Sequence, residues 1–439
     1  MKRTPFCIAQ SAVLVCALAL AGARLWADDW PQWRGPNRDG VWHETGIIEK
    51  FDKPQLDVLW RVPLSSGYCG PTVANGRLYV ADRVTSPTQM ERVHCFDAET
   101  GRRIWSQAYD CPYVRVQYTA GPRASITIDE GRAYCLGTMG HLFCFDAANG
   151  DILWSKDPKA EYKVRVPIWG IAAAPLVVDD RVVVHLGGRD GACVVAFDKK
   201  TGQEKWRALD DPPSYSAPIL IEQAGQRVVV CWTGERVVGL DPLTGALCWE
   251  HPYPPRPGHG IQCIATPVLH GDYLFVSSFF EGSLLLKLDQ SKLAVEPVWR
   301  RMGQSERNTD SLHCCISTPV LLGDCIYGVD SYGELRCLEL LTGNRVWESL
   351  EAVPQDRWST IHFIQNGDKV WMFNERGELI ISRLSPQGFE EISRAQLIKP
   401  TTAQLPRRGG VCWTHPAFAN RRVYVRNDEE LVCADLSAK

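Results

Sequence analysis

The sequence lacks a charge excess of either sign. Its 48 Lys and Arg against 51 Asp and Glu give a formal net charge of −3, which excludes the basic footprint of a nucleic-acid binder. Runs with helical periodicity are scarce, which excludes a helix-rich fold. Beyond the N-terminus no stretch is apolar enough to cross a bilayer as a helix. No G-x-S-x-G, H-E-x-x-H, phosphate loop or C-x-x-C-H is present, so the usual hydrolase, metalloprotease, nucleotide and haem signatures are missing. The histidines have no metal-ligand spacing, and no metal site is expected from them.

What is present is ordinary globular composition, 45% apolar and 23% charged, with sixteen Trp. The one long apolar run is "AVLVCALALAGA" (residues 12–23), preceded by Lys2 and Arg3 and followed by "LWA" before Asp28. It is short for a span and has a small residue, Ala27, at the cut. This predicts an export signal over residues 1–27, a periplasmic or extracellular protein, and no transmembrane segment after cleavage. Fifteen of the seventeen cysteines lie beyond that signal. An odd number in an exported chain is unusual.

The rest is one unit repeated. "FDAETGRRIW" (96–105) returns as "FDAANGDILW" (145–154), "FDKKTGQEKW" (197–206), "LDPLTGALCW" (240–249) and "LELLTGNRVW" (338–347). "LDQSKLAVEPVW" (288–299) and "LSPQGFEEI" (384–392) are decayed copies, and "ADLSAK" begins an eighth. Before each copy stand β-branched runs separated by turn residues, such as Asn75-Gly76 and Asn366-Gly367. Four short strands per repeat, each unit too small to bury its own faces, predict an all-β, eight-bladed β-propeller of four-stranded antiparallel blades. "VLWRVPL" (58–64) is a spare strand with its own Trp. It should complete the last blade and close the ring. The expected organisation is 28–54 as an N-terminal extension and 55–439 as one propeller.

A residue that recurs at every turn is architecture. Asp97 and its equivalents should accept turn amides. The Gly should supply positive φ. The Trp should lie across the neighbouring blade. The residue two before the Asp is Cys95, Cys144, Ala196, Gly239, Lys287, Cys337 or Cys433. The cysteines there take a small packing slot and are expected to be unpaired.

The motif, loosely A-x-D-x-x-T-G-x-x-x-W, resembles the pyrroloquinoline-quinone-type propeller repeat. That family includes quinoprotein alcohol dehydrogenases and non-enzymatic BamB-type outer-membrane assembly factors. The resemblance implies the fold; function must come from a site. The segment "DDWPQWRGPNRDGVWHETG" (28–46) looks like the opening of a class of exported proteins with this propeller. Trp30, Trp33 and Arg34 either plug the ring or pin a tail to its outside. Some quinoprotein dehydrogenases carry an adjacent-cysteine disulfide against their cofactor, in an early blade. Cys314-Cys315 stands in the sixth, either such a pair or two unrelated thiols.

The loops leading into the innermost strands hold the non-repeated residues. They gather Arg115, Arg123, Arg165, Trp169, Tyr215, His259, Gln262, His313, Cys314, Cys315, His362, Arg407, Arg408, Trp413 and His415. Variation on one rim of a uniform scaffold marks function. Arg, His and aromatics there suit a small anionic or aromatic ligand, or a partner protein. Cys263, Cys315 and Cys412 each stand four residues before a strand-opening Pro and are expected to share a level of the channel. The expected function is a non-catalytic scaffold binding through this rim, without a cofactor. The alternative is a quinoprotein dehydrogenase using pyrroloquinoline quinone and Ca²⁺. It needs Ca²⁺ ligands and a catalytic Asp, for which only Asn308 and Asp310 offer themselves.

Overall fold

The computed structural model describes residues 28–406 and 409–438. The expected signal segment lies outside them. Eight four-stranded sheets follow one another along the chain. Seven are built from consecutive antiparallel strands, over residues 72–110, 127–156, 176–208, 219–252, 268–301, 320–349 and 361–396. The eighth joins Ala417–Ala419, Arg422–Arg426 and Glu430–Asp435 to Val58–Pro63. Val58–Pro63 runs antiparallel to the final strand, with Trp60 opposite Cys433. The spare strand thus closes an eight-bladed propeller, which removes the gap between first and last blades. Among the described residues the one helix is Pro158–Glu161, four residues long.

The repeated turn works as the residue types dictate. Asp97 Oδ1 accepts from the amides of Glu99 and Thr100 and from the Thr100 hydroxyl, at 2.8–3.1 Å. Gly101 takes φ +71°, and a Cβ there would meet the Trp60 ring at 2.7 Å. The glycine is therefore required twice, by its backbone and by the indole lying on it. Gly150 holds Trp105, Gly202 holds Trp154 and Gly245 holds Trp206 in the same way. Each indole also donates to the next blade's turn: Trp105 to the Ala147 carbonyl, Trp154 to Lys199, Trp206 to Pro242.

The cysteine slot faces that indole. Cys95, Cys144, Cys337 and Cys433 pair directly with Trp105, Trp154, Trp347 and Trp60, and a bulge follows in each blade. On the cysteine's other side stands a tyrosine: Tyr79, Tyr134, Tyr327 or Tyr424. Where the slot holds Ala196 or Gly239 the facing residue is Val183 or Val230. Tyr79 and Trp105 donate to one carbonyl, that of Ala147, both at 3.1 Å. Tyr134 and Trp154 share Lys199, and Tyr424 and Trp60 share Ala98. One blade departs from the expected slot. The two-residue insertion in 288–299 shifts the register, so Leu285, not Lys287, lies opposite Trp299. No disulfide joins any two of the fifteen cysteines beyond residue 27.

The N-terminal extension enters the channel rather than lying outside it. It comes in on the face carrying the first hairpin turns, where Asp29 accepts from the Asn75 amide and Asn366 donates to the Trp42 and Glu44 carbonyls. Trp30 exchanges two backbone hydrogen bonds with Val73 in the first blade. Arg38 then reaches across three blades. Its guanidinium donates to the carbonyls of Ala174, Pro175 and Pro218 and to the Thr127 hydroxyl. The Trp33 indole donates to Thr266 at 2.8 Å in the fifth blade. Gly40 and Trp42 bond Gln365 in the seventh, and Ile48 bonds Leu436 in the eighth. The plug therefore touches seven blades.

Candidate functional site

Above the plug, at the opposite mouth of the channel, lies a cavity of about 170 Å³. Its wall follows a rule. Six blades open their innermost strand with Pro71, Pro175, Pro218, Pro267, Pro319 or Pro416, and Ile126 and Ile361 hold that place in the others. The residue three before each is Tyr68, Ala172, Tyr215, Ile264, Ile316, Trp413, Arg123 or Trp358, and all eight line the cavity. One side chain per blade forms the ring. The level expected four residues before the Pro is out by one. Cys263 and Cys412 are buried away from the cavity, and Cys315 alone of the three lines it. Alternation along extended backbone explains why neighbouring positions point apart.

The position just before the Pro makes a lower ring of Gly70, Ser125, Ala174, Ala217, Thr266, Thr318, Thr360 and His415. Most are small, which leaves room for the plug. His415 packs on Trp33 at 4.9 Å and on Trp30 at 6.2 Å between ring centroids. Trp33 thereby becomes the floor. Tyr118, Trp169 and Gln262 stand at the mouth. Trp169 packs on Tyr215 at 5.1 Å, and Tyr118 lies edge-on to Trp169 and Trp358 at 6.2 and 6.5 Å.

Of the residues proposed from sequence, the cavity brings together Arg123, Trp169, Tyr215, Gln262, Cys315, Trp413 and His415. Arg123 is a loop clamp. Its terminal nitrogens donate to the carbonyls of Gln117, Tyr118 and Gly121 and to the Thr138 hydroxyl. Arg115 and Arg165 are exposed and line no part of it. His259 pairs with Glu281 at 3.0 Å, beside the same carboxylate's contact with Arg256. His313 is fully buried, donating to the Phe279 carbonyl and accepting from the Gly303 amide. Burial pulls it down to about 4. His362 is likewise pulled to about 4 by burial and bonds the Trp413 carbonyl. Cys314 is buried and free, so no adjacent-cysteine disulfide forms. Arg407 and Arg408 lie outside the described residues.

Sequence reasoning does not single out Tyr68, Tyr118 or Trp358, and it marks Trp33 only as a candidate plug or clasp. The spacing to the strand-opening position would find Tyr68 and Trp358. Nothing local marks Trp33 as a cavity residue, because its place depends on the chain doubling back through the ring.

The electrostatics of the cavity are one-sided. Among the described residues no Asp or Glu lines it. Below it, the buried guanidiniums of Arg34 and Arg38 have no ion-pair partner among the described residues. Burial pulls them down to about 10 and about 9, with the Asp39 charge offsetting part of the effect at Arg34. Both stay cationic at neutral pH. His415 is held well below its ordinary value by burial, then by His362 and Arg34, so it is neutral there. Among the described residues no three His, Cys, Asp or Glu converge to hold a metal ion.

Solved structures share this architecture. BamB from Moraxella catarrhalis superposes with a TM-score of 0.60 at 18% identity, covering 87% of this chain and 99% of that one. The quinohemoprotein alcohol dehydrogenase of Comamonas testosteroni gives 0.63 at 14% identity, over 94% and 81%. At these identities the likeness is one of fold. In sequence, the quinohemoprotein alcohol dehydrogenase ADH-IIG of Pseudomonas putida is 31% identical over 209 residues, 45% of this chain. The chain spans about a quarter of that enzyme's length, 27%. BamB of Shewanella oneidensis is 22% identical over 51% of this chain and 56% of its own length. A family model described as outer membrane protein assembly factor BamB matches residues 11–157 and 89–349. With its eight-bladed ring and repeated Asp-Gly-Trp latch, the chain belongs to this pyrroloquinoline-quinone-type, BamB-like propeller family.

Proposed function

We propose that this is an exported, non-catalytic binding propeller. Its cavity captures an aromatic ring that carries no positive charge, as a free small molecule or on a partner protein. The observation that carries the reading is the ring of one residue per blade, four of the eight aromatic, with no carboxylate among the lining residues. Concave, mostly apolar sites with few polar groups are the usual form of ligand pockets. A cavity of about 150 Å³ suffices for benzene, so this one suits one or two rings, the second reaching the open mouth. Aromatic walls alone would favour a cation, by about 0.5–2 kcal/mol. Like charges roughly 10 Å apart repel by about 1.7 kcal/mol at an effective dielectric near 20. Two unpaired guanidiniums beneath the floor reverse the preference. Export is supported by the basic and apolar opening of the sequence and by kinship with an outer-membrane assembly factor.

The calcium–quinone alternative finds little to hold it. Ca²⁺ takes six to eight oxygen ligands, mostly carboxylates. The cavity offers the Gln262 amide and no Asp, Glu or Asn. Asn308 and Asp310 line a separate surface cleft. The residues present do not fit that pair. Incubation with pyrroloquinoline quinone and Ca²⁺, followed by dye reduction with primary alcohols or sugars, is expected to give no turnover. Turnover would overturn the non-catalytic reading. For the cavity itself, 1-naphthoate is expected to quench the tryptophan fluorescence of the wild type and to lose about tenfold in affinity on Trp169→Ala. Equal binding by the two proteins would place the site elsewhere.

A further inference from the structure

We infer that the plug, residues 28–46, is part of the binding site: Trp33 touches the ligand, and Arg38, beside Arg34 and the lining Arg123, biases which charge the cavity accepts. This rests on the reading of the cavity as a binding site and adds a wall that the propeller itself does not supply.

Among the described residues, Trp33 is the one cavity-lining residue that comes from outside the propeller and the loops leading into its inner strands. Its indole N–H is spent on Thr266, and one ring face is spent on His415. The side chain is thus fixed at both ends of its polarity while still lining free space. A preorganised aromatic floor of this kind gives contact area at small entropic cost.

Arg38 is the anchor that fixes this floor. Its Nε donates to Gln32, one residue before Trp33. Its four bonds to the propeller run to Thr127, Ala174, Pro175 and Pro218, and Ala174 also lines the cavity. Three of those acceptors are backbone carbonyls and the fourth is a hydroxyl, so the charge is solvated without being neutralised. The charge of a fully satisfied guanidinium directly under a low-dielectric cavity acts on whatever enters. Arg38 contacts no ligand; it positions Trp33 and supplies the field. The ligand class this selects is a planar aromatic, neutral or anionic.

A matched series separates the parts: 1-naphthoate, 1-naphthol and 1-naphthylmethylammonium share one ring system and differ in charge. Calorimetric titration of the full chain at neutral pH and low salt is expected to rank naphthoate at or above naphthol. The ammonium should bind at least about tenfold more weakly than naphthoate. Trp33→Ala should weaken naphthoate and naphthol by about tenfold each, with Trp33→Phe recovering part. Arg38→Met should narrow the gap between naphthoate and the ammonium, and Arg38→Lys should keep it. Thermal melts establish that each variant is folded. If Arg38→Met does not fold, Trp33→Ala and the charge series still decide. Wild-type binding that ignores Trp33→Ala would overturn this inference and leave the cavity reading standing, whereas an ammonium that binds as tightly as naphthoate would overturn both this inference and the charge preference proposed for the cavity. Failure of all three compounds to bind the wild type would remove the cavity reading, and this inference with it.

Discussion

A cysteine between a tyrosine and a tryptophan carries much of the repeat's logic. Cys144 is fully buried and meets Tyr134 on one strand and Trp154 on the other. Burial pushes its thiol up to about 12, so it stays a protonated, small apolar group. This resolves the odd cysteine number. The four slot thiols fill a tight place between two rings, and where the facing residue is valine rather than tyrosine the slot holds the still smaller Ala196 or Gly239. Cys144→Ala is expected to cost about 1 kcal/mol in urea unfolding, the loss of one buried sulfur's contacts. Cys144→Leu is expected to cost about 1–3 kcal/mol, because neither ring can retreat. A neutral Cys144→Leu would refute the size argument. Gly202→Ala should be as costly, since Cβ would need positive φ and would enter the Trp154 ring at 2.8 Å.

Two elements, the closing strand and the plug, hold the ring, and both come from the same end of the chain. Deleting the Trp60 indole removes its packing on Gly101 and its bond to Ala98. Trp60→Ala is expected to lower stability by about 2–3 kcal/mol. Arg38→Ala removes one donor from four acceptors in the channel, and of these the Pro175 carbonyl keeps the Thr127 hydroxyl. A loss of about 3 kcal/mol is expected, with amide exchange rising first in residues 28–46. Exchange that rises evenly around the ring would argue against a separable plug. The strand could be read from its unspent Trp and the want of a fourth strand in the last blade. The plug could not. Its contacts run 89 to 180 residues away through Arg38 and 233 through Trp33, and no local pattern encodes a path through the middle of a ring. The wall residues were half legible for a similar reason: the loops were evident, but the side chains facing inward depend on a register one residue different from that of the cysteines.

The whole molecule stores a pH dependence in its buried histidines. His185, His313 and His362 are pulled by burial to about 4, and His415 is held well below its ordinary value, mainly by burial. An unfolded histidine titrates near 6.5. As pH falls through 6.5 the unfolded chain takes up protons that the folded one refuses, so unfolding is favoured. The stability is fully present above about 6.5 and is lost progressively toward about 4. Each group contributes about 1.4 kcal/mol for every pH unit that separates its folded from its unfolded titration. Asp330 opposes this. Burial pushes its carboxyl up to about 7 against the pull of Arg336, so the folded form binds that proton first and gains on acidification. Four bases outweigh one acid. Urea midpoints are expected to fall between about pH 6.5 and 4.5, and His362→Gln should flatten the slope. A midpoint that stays constant across that window would contradict the assignment.

The placement of plug and closing strand also sets an order of events. Residues 28–63 leave the ribosome before any blade they fit, and their partners extend to residue 438. The closing strand, residues 58–63, has no partner until the final strand arrives, while seven sheets form behind it. Contacts of such sequence separation are slow to make, and a waiting apolar strand is open to other edges. A chain of this design therefore has its most exposed moment late in ring assembly, when nearly the whole ring exists and its first-made part has yet to find its seat.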